Sequence, residues 1–538
     1  MKAIRTSCLW ALAAAAGLVY GQPAITNVVN AASNITAGLP NAGIAQGSIF
    51  TIYGSNLGPA AISIAQEAFQ STSLSGTSVS VTVNGTTVAA LMYYTLATQV
   101  AALLPSNTPV GTGTITVTYG RVGVASPITV VANNLGIFTY SQDGQGAGIV
   151  TNPDYTLVSV TKAANCGVPL TACGAANPGD TLILWATGLG PVSNDGDVGV
   201  AINIPLTVWL GGVQATVTYQ GRGCCEGEDQ INFVVPANVP TGCAVPLAVQ
   251  IGNEISNYTV MAVAQTGSRT CTASASFFTS SEVQQITTGS GTVNVGMIKL
   301  ERQPAQGQSS GNTDTGQAQF FGFTFPAAIQ PFFISYIDDS PPGTCLVNNS
   351  LNYGINSPGT QINLDAGAGI KVTGPNGSQN IAVNGNTATL SAGGTFLSPG
   401  AYTITGTGGA NVGSFTAPYT IPMPPTLESP ASGANVSVTR ANGITFTWSG
   451  GAANSIIQIQ GQSATDNTNT NGASFDCYVA ASAGTFTIPA SVLLALPPGN
   501  FGGMDFQPNP AYGTFSASGL NLGFIQMKYN TQISATLQ

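Results

Sequence analysis

From Gln22 onward the sequence is written as short runs in which β-branched residues alternate with polar ones, each run closed by Gly, Asn or Pro. Ile444-Thr445-Phe446-Thr447-Trp448 is the plainest of them. Successive side chains on a strand point to opposite faces, so alternation of this kind builds strands with one face on a core and one on solvent. The 67 glycines supply turns, and no long segment carries Leu, Glu, Lys and Arg at helical spacing. All-β is the fold class that this pattern predicts.

A repeat with a spacing near 130 residues narrows the prediction. Gln46-Gly47-Ser48-Ile49-Phe50-Thr51-Ile52-Tyr53 runs into Gly54-Ser55-Asn56-Leu57-Gly58-Pro59, and Pro178-Gly179-Asp180-Thr181-Leu182-Ile183-Leu184-Trp185 runs into Ala186-Thr187-Gly188-Leu189-Gly190-Pro191. Further on, Gln99 to Asn107 parallels Gln230 to Asn238, and Pro109 and Gly111 match Pro240 and Gly242. In each copy, short strands separated by turns at roughly ten-residue intervals give the pattern of a β-sandwich. The expected architecture is a set of tandem immunoglobulin-like β-sandwich domains: residues 22–133 and 134–270 for the two copies, 271–422 for a third β-rich domain, and 423–538 for a C-terminal sandwich. Residues 303–318, rich in Gln, Gly, Ser, Asn and Thr, read as a flexible loop. Pro422-Met423-Pro424-Pro425 reads as a stiff linker.

Val29-Asn30-Ala31-Ala32-Ser33, the span Gly47 to Gly58, Leu135-Gly136-Ile137-Phe138 and the segment around Gln230-Ile231-Asn232 resemble a group of secreted proteins abundant in acidobacteria. Their paired modules are similar to the immunoglobulin-like, plexin and transcription-factor (IPT/TIG) type. The stretch Ile370 to Gly377, with Thr445 to Gly450 and Gly472 to Cys477, is similar to a C-terminal unit found beside such modules. The resemblance implies export and an immunoglobulin-like fold, and it implies no catalytic residues.

Export is also expected from the N-terminus. Lys2 and Arg5 precede an apolar run from Cys8 to Tyr20, and Val19-Tyr20-Gly21 supplies small residues at two of the positions that a signal peptidase reads, as in a signal peptide occupying residues 1–21. The run is shorter than the roughly 20 residues that a settled membrane-spanning helix needs, and no other segment of the sequence has a membrane-spanning apolar run, so no membrane insertion of the mature chain is expected. Only 6% of residues are charged, with 11 basic against 20 acidic. Nucleic acid and anionic membranes need clustered Lys or Arg, so neither is an expected partner.

Loss of Cys8 with the signal peptide leaves an even cysteine set, which in an exported chain reads as disulfides. Cys166 and Cys173 close a small loop. Adjacent cysteines seldom bond each other, so Cys224 and Cys225 are expected to pair, in either order, with Cys243 and Cys271. Cys345 and Cys477 remain as a long-range pair. The spacings include no CxxC, and the chain has no histidine. That absence removes Ser-His-Asp and Cys-His nucleophile systems and His-ligated zinc. No cofactor, metal ion or catalytic residue is expected.

Other constellations read as structure. Asn194-Asp195-Gly196-Asp197 is a turn rather than a calcium loop, having two carboxylates where calcium takes about six to eight oxygens. Asn467, Asn469 and Asn471 mimic a calcium loop with amides, and Tyr478 stands where its bidentate Glu belongs. Glu226, Glu228 and Asp229 form one acidic turn, expected to be solvated and to lie beside a disulfide. Trp185, Trp209 and Trp448 are expected in sandwich cores. Neighbours on a strand face opposite sides, so one of Tyr93 and Tyr94 should point away from the core. That pair is the candidate ligand-binding site, and the expected partner is an extracellular polysaccharide or protein. The expected function is non-catalytic binding or adhesion, with a structural role in an extracellular matrix or surface layer as the alternative. A carboxylate-only glycoside hydrolase is a distant third reading.

Overall fold

The computed structural model describes residues 22–66, 69–160, 162–274, 292–303, 312–324, 330–332, 334–351, 359–391, 393–452, 455–466, 471–499, 501–509 and 512–538. The expected signal peptide, Asn467, Asn469 and residues 304–311 of the 303–318 loop lie outside them. The protein is all-β, built of immunoglobulin-like sandwiches, and among the described residues helix is confined to short turns. No helix among the described residues is long and apolar enough to cross a membrane.

The two repeat copies fold with equivalent pairings. In the first, Ile49–Ser55 pairs antiparallel with Gln99–Leu103; in the second, Thr181–Thr187 pairs antiparallel with Asp229–Val234. Each partner then continues to a further strand, Leu91–Leu96 in one copy and Val213–Arg222 in the other. The alternation read from sequence appears as burial: Thr77–Val83 is buried at every second position, and Val79, Val81 and Val83 meet Phe50, Ile52 and Val100 in one core. The second core gathers Leu182, Leu184, Ile231, Phe233 and Val208. Burying side chains of this size contributes about 1.5–3 kcal/mol each.

The C-terminal half departs from the expected boundary at 422/423. Thr292–Gln303 pairs in parallel with Leu522–Tyr529, and Thr344–Asn348 pairs antiparallel with Gly472–Ala480. Two sandwiches are therefore interleaved. One packs the sheet containing Thr292–Gln303 against Gly369–Gly374, Gly377–Ala382, Gly400–Gly406 and Phe415–Ile421 around Phe320, Ile370 and Ile525. The other packs the sheet containing Gly472–Ala480 against Thr426–Ser429, Ile444–Ser449 and Thr485–Ile488 around Phe446, Phe475 and Trp448. The chain passes between them repeatedly, because each sandwich completes its sheet with strands from both ends of the segment. Within the expected flexible loop, Gln303 ends one strand and Thr313–Thr324 is its hairpin partner.

Trp185 and Trp448 are buried as expected. Trp209 is only half-buried; it stands between buried Val208 and Leu210, and its indole N–H donates to Gln250 at 2.9 Å. Cys166 is bonded to Cys173, Cys243 to Cys271 and Cys345 to Cys477. The expected pairing of Cys224 and Cys225 with Cys243 and Cys271 is therefore corrected. Cys243 and Cys271 lie together in a buried cluster with Val160, Val293 and Leu522, whereas Cys224 is exposed on a turn and both adjacent thiols are free.

Candidate functional site

The residues that mark the repeat converge on the junction between the first two modules. Asn30 ends the first strand and is buried. Its amide donates to the carbonyls of Asn134 and Thr187, each at 3.1 Å, and its Oδ1 accepts from Ala32 and Ser33. The Ile49 amide donates to the Thr187 hydroxyl at 2.9 Å, and that hydroxyl donates to the Gly227 carbonyl at 2.7 Å. Asp195 accepts from the Ser106 amide and hydroxyl, so the Asn194–Asp197 turn is a tie between modules.

Arg222 and Asp229 form an ion pair at the centre of this junction, 1% and 0% exposed. Arg222 Nη2 donates to the Gly47 carbonyl at 2.8 Å and to the Gly190 carbonyl at 2.9 Å, one from each repeat copy. The second Asp229 oxygen accepts from the Gly188 and Leu189 amides at 2.6 and 2.7 Å. Gly47 has φ +68 and faces Arg222, leaving no room for a side chain. Burial pushes Asp229 up to about 6 against the opposing pull of Arg222 and the two amides. Alternation places polar residues outward, and nothing in the sequence reading singled out Arg222. The available signal was an arginine ending an alternating strand seven residues before an aspartate that opens the next.

The acidic turn is therefore divided. Asp229 belongs to the buried pair, while Glu228 is half-buried beside the free thiols of Cys224 and Cys225, which are not bonded to Cys243 or Cys271. Burial raises the Glu228 carboxyl and both thiols. The three ligand atoms lie within 4.8 Å of one another, the only such grouping of metal-binding side chains among the described residues.

Neither candidate tyrosine is fully exposed. A register irregularity between Met92 and Tyr94 disturbs the strict alternation on which the outward reading rested. The Tyr93 ring stacks on Phe69 with centroids 4.0 Å apart, and its hydroxyl donates to the Glu226 carbonyl of the second module. The Tyr94 hydroxyl accepts from the Gln99 side chain at 2.6 Å. Asn471 is also a tie: its amide donates to the Ala37 carbonyl at 2.6 Å, joining the C-terminal half to the first module.

Two concavities border the first module. A groove of about 740 Å³ runs between its edge at Ile44 and Val131 and the turn carrying Glu254. A cleft of about 520 Å³ lies between the Asn56–Gly58 loop and the Tyr119–Val122 turn, lined by Pro23, Ala60 and Ala97 and carrying Arg121.

A further polar layer, not foreseen from sequence, is buried between the interleaved sandwiches. Lys528 Nζ donates to the side-chain carbonyls of Gln458 and Gln507, and the Gln458 amide donates to Asp476 at 2.9 Å. Burial, with nearby Lys299, pushes Lys528 down to about 8 from an ordinary value of 10.5. Between those values the unfolded chain binds a proton that the folded chain does not, so this lysine weakens the fold as pH falls. From pH 7.5 to 9.5 its contribution rises by about 2 kcal/mol. That rise should appear as the difference between native protein and Lys528→Met in denaturant midpoints at the two pH values. Parallel pH profiles would refute it.

No known family model matches the chain, and no curated protein does. Several solved structures show a distant likeness. Domains 4–9 of the surface layer protein SbsC align over 94% of this chain and 65% of that one, at 10% identity and a TM-score of 0.19. SGBP-B from a complex xyloglucan utilization locus in Bacteroides uniformis aligns over 69% and 80%, at 12% identity and 0.15. The full extracellular region of plexin A4 aligns over 44% of this chain at 14% identity and 0.14, and the match spans 17% of the plexin.

Proposed function

We propose that the chain is an exported, non-catalytic binding protein whose first module presents a recognition cleft to an extracellular polysaccharide or protein. The observation that carries this reading is the cleft of about 520 Å³ between the Asn56–Gly58 loop and the Tyr119–Val122 turn. It joins an apolar lining to an aromatic ring and a guanidinium, within the size range of ligand sites. Loops at a sandwich end carry recognition while the scaffold stays fixed. Val122, 47% exposed, adds an apolar face to the cleft. The acidic turn supports a non-catalytic reading, because Asp229 is consumed by Arg222 and Glu228 faces thiols.

The test is a glycan array and a protein pull-down with the mature chain, followed by Tyr119→Ala and Arg121→Ala. Each substitution is expected to weaken binding about tenfold, as truncation of an anchoring Tyr or Arg does. Empty screens, or binding indifferent to both variants, would reject the cleft. A second reading, a rigid element of a matrix or surface layer, is favoured by the buried Arg222 junction, which ties the two modules together. Ordered polymers in electron micrographs of the purified chain would move the assignment there.

A further inference from the structure

The turn between Val213–Arg222 and Asp229–Val234 carries the only free cysteines among the described residues. The Sγ atoms of Cys224 and Cys225 lie 2.8 Å apart. That is about 0.8 Å beyond a disulfide bond. A tetrahedral zinc with bonds of about 2.3 Å would hold two sulfurs roughly 3.8 Å apart. The separation therefore favours a bond between the sulfurs over a shared metal ion. The other six described cysteines are already joined, so no described thiol competes for either one.

The surrounding turn holds the pair in place. The Gly223 amide donates to the Glu228 carbonyl at 2.8 Å, and the Glu228 amide donates to the Cys225 carbonyl at 3.2 Å. Gly227 has φ +71 and packs against Leu103 and Ile49 of the first module. Glu228 Oε2 lies 3.5 Å from Cys224 Sγ, where a carboxylate can accept the thiol proton.

We infer that Cys224 and Cys225 form a vicinal disulfide, closing an eight-membered ring at the edge of the module junction. The co-reactant is an external disulfide, either a small molecule or an exchange catalyst of the oxidising compartment. Cys224 gives its proton to Glu228, and the resulting thiolate attacks the external disulfide, releasing one thiolate and leaving a mixed disulfide. The Cys225 sulfur then displaces the second thiolate as its own proton departs. Two S–H bonds and one external S–S bond are broken, one internal S–S bond is formed, and the two released thiolates leave as thiols with those protons. Adjacent Cα atoms across a trans peptide are about 3.8 Å apart, below the usual range for disulfides, so the ring is strained and readily reduced. Exposure of Cys224 adds access that the buried Cys243–Cys271 and Cys345–Cys477 bonds lack.

This inference rests on export and is independent of the ligand. Full-length protein is isolated from an oxidising compartment without reductant, alkylated while denatured, digested and weighed. The expected peptide carries no alkyl group on Cys224 or Cys225 and is two hydrogens lighter than its dithiol form. Graded phosphine should open this bond before Cys243–Cys271 or Cys345–Cys477. A Cys224→Ser/Cys225→Ser variant is expected to keep the other three bonds, which separates ring closure from folding. The inference is overturned by alkylation of both thiols in untreated protein or by a bond from either to another cysteine. Thiols protected by stoichiometric zinc until a chelator is added would overturn it as well.

Discussion

Replacement of Asp229 by alanine is expected to lower the unfolding free energy by about 3–5 kcal/mol. The cost arises from what is left behind. Arg222 is 1% exposed, and without Asp229 its charge would face only the carbonyls of Gly47 and Gly190. Among the described residues, Arg222 Nε has no hydrogen-bond partner even in the intact junction. The Gly188 and Leu189 amides would also lose their acceptor. A double variant, Arg222→Met/Asp229→Leu, removes both charges together and should recover much of the loss, because the desolvation penalty leaves with them. Denaturant midpoints for wild type and both variants at neutral pH give the comparison, with Trp185, on a strand paired to Asp229, as fluorescent reporter. A single-variant loss below about 1 kcal/mol would place the pair in the class of solvated surface bridges and sink this account of the junction.

The division between what could be read in advance and what could not follows from where the information lies. Alternation is local: Thr77–Val83 needs no knowledge of its partners to declare one apolar face. The duplication was likewise visible, because Gly47 and Gly190 lie in turns that recur in the other copy, at Gly179 and Gly58. That both glycines would offer carbonyls to one arginine required the relative placement of two modules, which no spacing encodes. Tyr93 shows the same limit, since the alternation that suggested an outward ring was interrupted by the irregularity beside it. For the cysteines, an even count suggested bonds but not partners: Cys243 and Cys271 meet because their segments share a core. The interleaving of the C-terminal sandwiches was least legible. A strand such as Thr292–Gln303 shows its faces in sequence but not that Leu522–Tyr529 will lie beside it in parallel.

That interleaving makes the Cys345–Cys477 bond the most consequential covalent link in the protein. Cys345 and Cys477 are directly opposed in the antiparallel pair Thr344–Asn348 and Gly472–Ala480, across a sequence separation of 132. In the unfolded chain the bond closes a long loop. The lost loop entropy corresponds to about 4–5 kcal/mol of stability. Cys166–Cys173, with a separation of 7, closes a short loop worth about 2 kcal/mol by the same relation. Cys345→Ala/Cys477→Ala should therefore shift the denaturant midpoint about twice as far as Cys166→Ala/Cys173→Ala. The larger loss should fall on the C-terminal half, because Cys345 and Cys477 lie in the same buried cluster as Phe446, Phe475 and Trp448. Fluorescence of Trp448 is the local readout, since its indole N–H donates to the Ala481 carbonyl one residue beyond the Gly472–Ala480 strand. Equal shifts for the two double variants would mean that Thr344–Asn348 holds its place in the sheet without the covalent tie, and that strand pairing alone fixes the crossing of the two sandwiches.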